Sequence, residues 1–363
     1  MITISLCMIV KNEAAMLARI LEPMKQIANE IILVDTGSTD QTKAIAAQYT
    51  SLIFDFPWIE DFSAARNFAC SKASMDYWIW LDADDMISPK WQKELLSLKQ
   101  TLDPAVDMVM MKYVTGFDRK GNPAFSYYRE RLIKNQKGFL WKGRVHEAVT
   151  PEGRLLYSPI EIEHKKEAIK DPDRNLKIYE AMLKEGNALE PRHQFYYARE
   201  LFYHNRFKEA AQTFRGFLEE PDGWVENQID ACLHLSRCYS KLGMEAESLK
   251  ALLYSLSFDL PRAEICCELG RHFMERQSFK QAIYWYKQAL SSEPEEQTGA
   301  FFQKDFHDYI PLIQLCVCYD RLGQYEEALK YHKRTAALKP DSEAVRLNQL
   351  YFDKRFSLPS TQG

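Results

Sequence analysis

Three carboxylates within four residues, Asp82, Asp84 and Asp85, end the aromatic apolar run Trp78-Ile79-Trp80-Leu81. Carboxylates so closely spaced suit a hydrated divalent cation and, through it, a diphosphate. If the run is extended, alternation of faces puts Asp82 and Asp84 on one side and Asp85 on the other. A plainer use of Asp84 and Asp85 is to cap a helix starting near Pro89. The run alone does not choose between these uses. Two further acids follow similar apolar runs: Glu13 after Ile2 to Val10, and Asp35 after Ile31-Ile32-Leu33-Val34. Arg66, within Asp61-Phe62-Ser63-Ala64-Ala65-Arg66-Asn67, is either a solvated charge or a cation for phosphate.

The segments around these residues alternate between strand and helix. Ile2 to Val10 is nearly all apolar, as in a strand buried on both faces. A helical spacing follows through Leu17, Ile20, Leu21 and Met24, then a second strand to Asp35 and the turn Thr36-Gly37-Ser38-Thr39-Asp40. A helix over Ala44 to Tyr49 and a short strand over Ser51 to Phe54 come next. This order predicts an open, mostly parallel α/β sheet, in which ligands sit beyond the carboxyl ends of the strands. Glu13, Asp35 and Asp82 all fall at such ends. Asp107 to Thr115 and Phe125 to Lys134 read as a hairpin around Asp118 to Asn122. Neither glycine-rich phosphate loop is present, so a diphosphate here needs a metal, basic side chains, or both.

Cys7 to Glu13, Val34 to Asp40, Phe62 to Asn67 and Leu81 to Asp85, in that order, resemble glycosyltransferase family 2. The resemblance covers roughly residues 1–165. It implies an α/β GT-A (nucleotide-diphospho-sugar transferase) domain, a divalent cation (Mg2+ or Mn2+) and a nucleotide-sugar donor, expected to be a UDP-hexose. It also implies roles. Asp35 accepts a hydrogen bond from the base, Glu13 lies by the nucleoside, Asp82 by the ribose, and Arg66 near the nucleotide. Asp84 is the metal-binding carboxylate, and Asp85 supports it from behind or caps a helix. A late histidine completes the metal shell, with His146 the first choice and His164 the second; the alternative is an imidazole that caps a strand or packs on Trp141. Glu147 is the first choice of general base, with Glu130 competing, its flanking arginines holding it ionised.

The chain has 363 residues and a formal net charge of −4. That charge gives no general attraction to nucleic acid, and no apolar run is long enough to span a membrane. The apolar start lacks a basic leader and a cleavage site, so it reads as a strand and not a signal peptide. Eight scattered cysteines sit inside apolar patterns without zinc spacing, which fits reduced thiols and a cytoplasmic setting.

Residues 166–190 read as a charged linker and leading helix, and 191–357 as an all-α tetratricopeptide-like solenoid. About four helical pairs are expected, the clearest over Ala263 to Pro294, with an insertion over Pro294 to Asp308 and a frayed end over Tyr351 to Gly363. Such repeats bind peptide or protein and are compatible with a homodimer. A family 2 domain followed by repeats, with the string Lys142-Gly143-Arg144-Val145-His146-Glu147, resembles peptide S-glycosyltransferases of the sublancin type. The resulting expectation is an inverting hexosyltransferase acting on a peptide or protein acceptor. Two alternatives stand beside it: an enzyme of cell-surface polysaccharide or glycan synthesis, and a tetratricopeptide adaptor with an inert GT-A domain.

Overall fold

The computed structural model describes residues 1–118, 120–165, 171–293 and 299–357. It divides into two compact units: Met1–His193 with a short stretch ending at Phe301, and the remainder.

The first unit is a twisted mixed sheet with helices on both faces. Its strands are β1 (Ile4–Val10), β2 (Glu30–Asp35), β3 (Ile53–Asp55), β4 (Tyr77–Trp80), β5 (Asp85–Met86), β6 (Met108–Phe117), β7 (Pro123–Lys134) and β10 (Leu155–His164), and a separate small ribbon pairs β8 (Trp141–Lys142) with β9 (Ala148–Val149). The main sheet runs β3-β2-β1-β4-β7-β6-β10-β5. Strands β1 to β4 are parallel, whereas β7 is antiparallel to β4 and β6, and β5 is antiparallel to β10. The helices are α1 (Leu17–Ile27), α2 (Thr42–Ala46), α3 (Phe62–Cys70), α4 (Pro89–Thr101) and α5 (Arg174–Lys184).

Strand alternation explains the unbroken apolar runs, because both sheet faces are buried. Ile4, Leu6, Met8, Tyr77 and Ile79 pack with Leu17, Ile20 and Leu21 of α1 and Leu95 of α4. Cys7, Trp78 and Trp80 face the other way, toward Ala69 of α3 and Trp141 of β8. Each such aliphatic side chain contributes about 1.5–3 kcal/mol on burial, so register is firmly set.

Strand β4 stops at Trp80, so Asp82 and Asp84 occupy a turn rather than alternating strand positions. The Asp85 N–H donates to the Asp82 carbonyl at 3.0 Å to close that turn. The capping alternative is overturned, because the residue before α4 is Ser88. A carboxylate three residues upstream is out of reach of the free helix N–H groups.

The second unit, which starts at Gln194 within α6 (Pro191–Tyr203), stacks paired helices: α6 with α7 (Phe207–Glu219), α8 (Val225–Lys241) with α9 (Glu245–Tyr254), α10 (Ala263–Glu275) with α11 (Phe279–Ser291), and α13 (Tyr309–Arg321) with α14 (Tyr325–Leu338). A short α12 (Lys304–His307) precedes α13, and α15 (Glu343–Ser357) ends the described chain. The frayed end expected from Tyr351 is corrected, since the helix continues through Ser357 with Phe352 buried in the repeat core. Residues 358–363, and Pro294 of the expected insertion, lie outside the described residues. All eight cysteines are free thiols, seven of them buried.

Candidate functional site

The site forms where the carboxyl ends of β2 and β4 meet β10 and the loop after β8. Asp35, the last residue of β2, is 1 % exposed. Its Oδ1 accepts the N–H groups of Gly37 at 2.9 Å and Ser38 at 2.8 Å. Gly37 holds φ +103°, which only glycine adopts without strain, and this lets the turn close on the carboxylate. Asp35 Oδ2 is buried and has no hydrogen-bond partner among the described residues. A buried carboxylate oxygen left open in this way is stabilised by an incoming donor such as a base N–H. Glu13, half-buried just beyond β1, donates its backbone N–H to Thr42 Oγ1 at 2.8 Å.

Arg66 is the electrostatic hub. Helix α3 begins at Phe62 with the Asp61 carboxylate capping the Ala64 N–H at 2.9 Å. Its next turn pushes Arg66 between Trp80 and Trp141, with the guanidinium 4.8 and 4.9 Å from the ring centroids. From there Nη2 donates to Asp82 Oδ1 at 2.7 Å and Nε to Glu147 Oε1 at 2.6 Å. Burial opposes the Arg66 charge, yet Asp82 and Glu147 raise its pKa further. Burial also works against ionised Asp82, but Arg66 and Arg131 prevail and hold it down at about 2. Arg66 is therefore no solvated surface charge.

Asp84, Asp85 and His164 form the candidate cation centre, their ligand atoms all within 4.8 Å of one another. Strand pairing causes this: β10 runs antiparallel to β5 with His164 opposite Asp85. His164 Nδ1 lies 3.3 Å from Asp84 Oδ1 and 3.3 Å from Asp85 Oδ1. Burial, then the like charges of Asp82 and Asp85, push the Asp84 carboxyl up, against the pull of His164. Burial lowers the His164 pKa, but the Asp85 hydrogen bond and the carboxylates around it win and raise it. Hard oxygen donors with an imidazole, already crowded by mutual repulsion, fit Mg2+ or Mn2+.

His146 is elsewhere. Its backbone holds φ +52°, and its ring stacks on Tyr179 of α5 with centroids 6.2 Å apart and planes at 16°. Its Nε2 lies 3.5 Å from Asn175 Nδ2. The structure brings His164, not His146, to Asp84. Nearby, Gly143 at φ +99° packs on His193, and a Cβ there would lie 2.2 Å from the imidazole.

The two candidate bases differ in surroundings. Glu130 is 3 % exposed, takes two bonds from Arg129 and one from the Val149 N–H, and burial fails to outweigh Arg129, so its pKa is lowered. Glu147, by Arg66, has a side chain 12 % exposed. Arg129 also donates to the Glu147 carbonyl at 3.2 Å, which ties β7 to the loop bearing Glu147.

The profile of glycosyl transferase family 2 matches residues 5–155, which hold every residue named above except His164, Asn175, Tyr179 and His193. This stretch is a family 2 glycosyltransferase domain. A tetratricopeptide repeat profile matches residues 312–345, covering most of α13 and all of α14. Three similar proteins, among others, follow. A TPR repeat-containing protein of Synechococcus elongatus is 36 % identical over 152 residues, 41 % of this chain and 36 % of that one. The lipopolysaccharide core biosynthesis glycosyltransferase LpsC of Rhizobium meliloti is 28 % identical over 152 residues, 40 % and 56 % of the two chains. The SPbeta prophage-derived glycosyltransferase SunS of Bacillus subtilis is 27 % identical over 234 residues, 57 % and 51 %. The chain thus spans between a third and somewhat over half of the length of these relatives.

Tyr113 and Arg131 join the family 2 site without a signal in the sequence. On β7 the register slips between the pairs Val109–Leu132 and Met110–Glu130, leaving Arg131 as a bulged residue. The bulge re-aims its side chain to Asp85, with Nη1 3.1 Å from Oδ2. Among the described residues, no helix is long and apolar enough to cross a membrane.

Proposed function

We propose that the protein transfers a hexose from a UDP-sugar to a peptide or protein acceptor, in the cytoplasm, with a divalent cation bound at Asp84 and His164. The observation that carries this reading is an open Asp35 oxygen at the end of β2 together with the Asp84–His164 cluster beyond β4, the two strands that flank β1. One site is suited to a base N–H, the other to a metal-bound diphosphate.

Asp35 Oδ2 accepts from the base, Glu13 borders the nucleoside, and Asp82, fixed by Arg66, meets the ribose. A bound Mg2+ or Mn2+ supplies positive charge to the diphosphate as it departs. Glu147 takes the proton of the acceptor nucleophile while the acceptor displaces the nucleoside diphosphate at the anomeric carbon, inverting it. Glu130 is the weaker choice because Arg129 and the Val149 N–H already occupy it. Arg66 aims Glu147 without touching the acceptor. The paired helices of the second unit, as repeats of this kind do, offer a surface for a polypeptide or a second copy.

Turnover of UDP-hexoses with Mn2+, measured with and without candidate peptides, tests this. Nucleotide release that requires Mn2+ and rises with a peptide acceptor supports the reading. Release that is stimulated only by a lipid-linked or polysaccharide acceptor favours glycan synthesis, the reading suggested by the name of the Rhizobium relative. No nucleotide binding at all favours an inert domain serving the repeats.

A further inference from the structure

Asp85 belongs to the acidic trio, yet its surroundings differ from those of Asp84. It is fully buried, whereas the Asp84 side chain is 23 % exposed. Its oxygens are already engaged on all sides. Oδ2 accepts from Arg131 Nη1 at 3.1 Å and from the Asp82 backbone N–H at 3.0 Å. Oδ1 accepts from the Tyr113 hydroxyl at 3.1 Å and lies 3.3 Å from His164 Nδ1. A carboxylate offers about four lone-pair positions; Arg131, the Asp82 N–H and Tyr113 fill three of them, and the His164 ring lies against the fourth. Binding a cation would require Asp85 to release one of these donors, leaving a buried polar group without its partner.

The shortest contact of His164 is with Tyr113, whose hydroxyl oxygen is 2.8 Å from Nδ1. A phenol hydroxyl has one proton to give and can accept another. Given to Asp85, that proton leaves the Tyr113 oxygen to accept from His164 Nδ1–H. The order is then imidazole N–H to tyrosine, tyrosine O–H to carboxylate. It fixes the orientation of the imidazole ring beside Asp84. Arg131 completes the support, with its guanidinium between Trp80 at 3.6 Å and Tyr113 at 4.2 Å from the ring centroids.

We infer that Asp85 is a positioning residue and not a metal ligand, and that through Tyr113 it orients His164 so that His164 and Asp84 together take a divalent cation. This rests on the cation site proposed above. Metal-binding imidazoles are commonly oriented by an outer carboxylate in this way, and removing such a partner weakens metal binding about 10–100-fold.

The test is Mn2+ binding to the full chain, followed by electron paramagnetic resonance, for wild type, Tyr113→Phe, Asp85→Asn and Asp84→Ala. Tyr113→Phe keeps the ring against Arg131 and removes only the hydroxyl. It should weaken Mn2+ about 10–100-fold while leaving metal-free UDP binding and the unfolding temperature near wild type. Nitrogen-15 NMR of the imidazoles should show His164 Nδ1 hydrogen-bonded in the wild type and its signal shifted in Tyr113→Phe. Wild-type Mn2+ affinity and an unchanged His164 Nδ1 signal in Tyr113→Phe would overturn the inference. So would a folded Asp85→Asn protein that loses Mn2+ as completely as Asp84→Ala while Tyr113→Phe retains it, because Asp85 would then be a ligand. A wild-type protein that binds no Mn2+ would overturn the cation site itself, a separate outcome.

Discussion

The Arg66 guanidinium donates to Asp82 at 2.7 Å while the ring of Trp80 lies beside it at 4.8 Å. One side chain thus joins the residue proposed to meet the ribose to Glu147, the residue proposed to meet the acceptor. Arg66→Ala would leave two largely buried carboxylates facing each other. Breaking a buried pair in this manner costs about 3–5 kcal/mol. Arg66→Lys keeps the charge but cannot span both partners, so it should fold and lose kcat more than UDP affinity. Calorimetry of unfolding and steady-state kinetics check the two variants, and a kcat for Arg66→Lys equal to wild type would contradict the bridging role.

The open oxygen of Asp35 makes a binding prediction. Asp35→Ala removes the acceptor for the base and should weaken UDP by about 1.5–3 kcal/mol, or roughly 10–100-fold. Fluorescence or calorimetric titration with UDP measures this. Unaltered affinity would remove Asp35 from the nucleotide site.

Much of this site was legible because β1, β2 and β4 are buried on both faces, which writes them as unbroken apolar runs ending in Asp35 and Asp82. What escaped depended on contacts distant in sequence. His146 looked closer to the chemistry because Trp141 and Glu147 flank it, but the pairing of β10 with β5 sets His164 opposite Asp85. In the sequence Arg131 reads as a companion of Glu130, but the bulge on β7 turns it to Asp85. Tyr113 sits in an ordinary apolar strand, and only the neighbouring strand gives its hydroxyl a purpose. The strand alternation assumed for Asp82 to Asp85 failed for a local reason, the turn closed by the Asp85 N–H.

Acid stability follows from Asp82. Its folded pKa, about 2, lies below that of the unfolded chain, so its stabilisation is full above the unfolded value and is lost as pH falls through the folded one. The pair contributes roughly 2 kcal/mol to folding on that basis. Asp82→Asn should therefore show a smaller decline in urea-unfolding free energy between about pH 5 and pH 2. An acid limb parallel to that of the wild type would contradict the assignment.

Glu264 in α10 gives the opposite sign. Burial, assisted by Asp230, pushes its carboxyl up to about 7. Stability linked to the neutral form is present below the unfolded pKa and declines as pH rises through about 7. Glu264→Gln should abolish that decline and raise the unfolding temperature of the repeat unit in alkaline buffer. An equal slope with pH in both proteins would rule this out.

Gly143 cannot take a side chain without displacing His193. Gly143→Ala combines backbone strain with that clash, a loss of about 1–3 kcal/mol, and it should move the loop bearing Glu147. Lower kcat with UDP affinity retained is expected. Wild-type kcat would show that the loop does not serve the acceptor side.

The measurement closest to the central claim is calorimetric titration of the full chain with UDP, with and without Mn2+, in wild type and Asp84→Ala. Wild type should bind UDP more tightly when Mn2+ is present, and Asp84→Ala should lose that gain while keeping metal-free binding through Asp35. Equal Mn2+ enhancement in both proteins would contradict a cation held at Asp84.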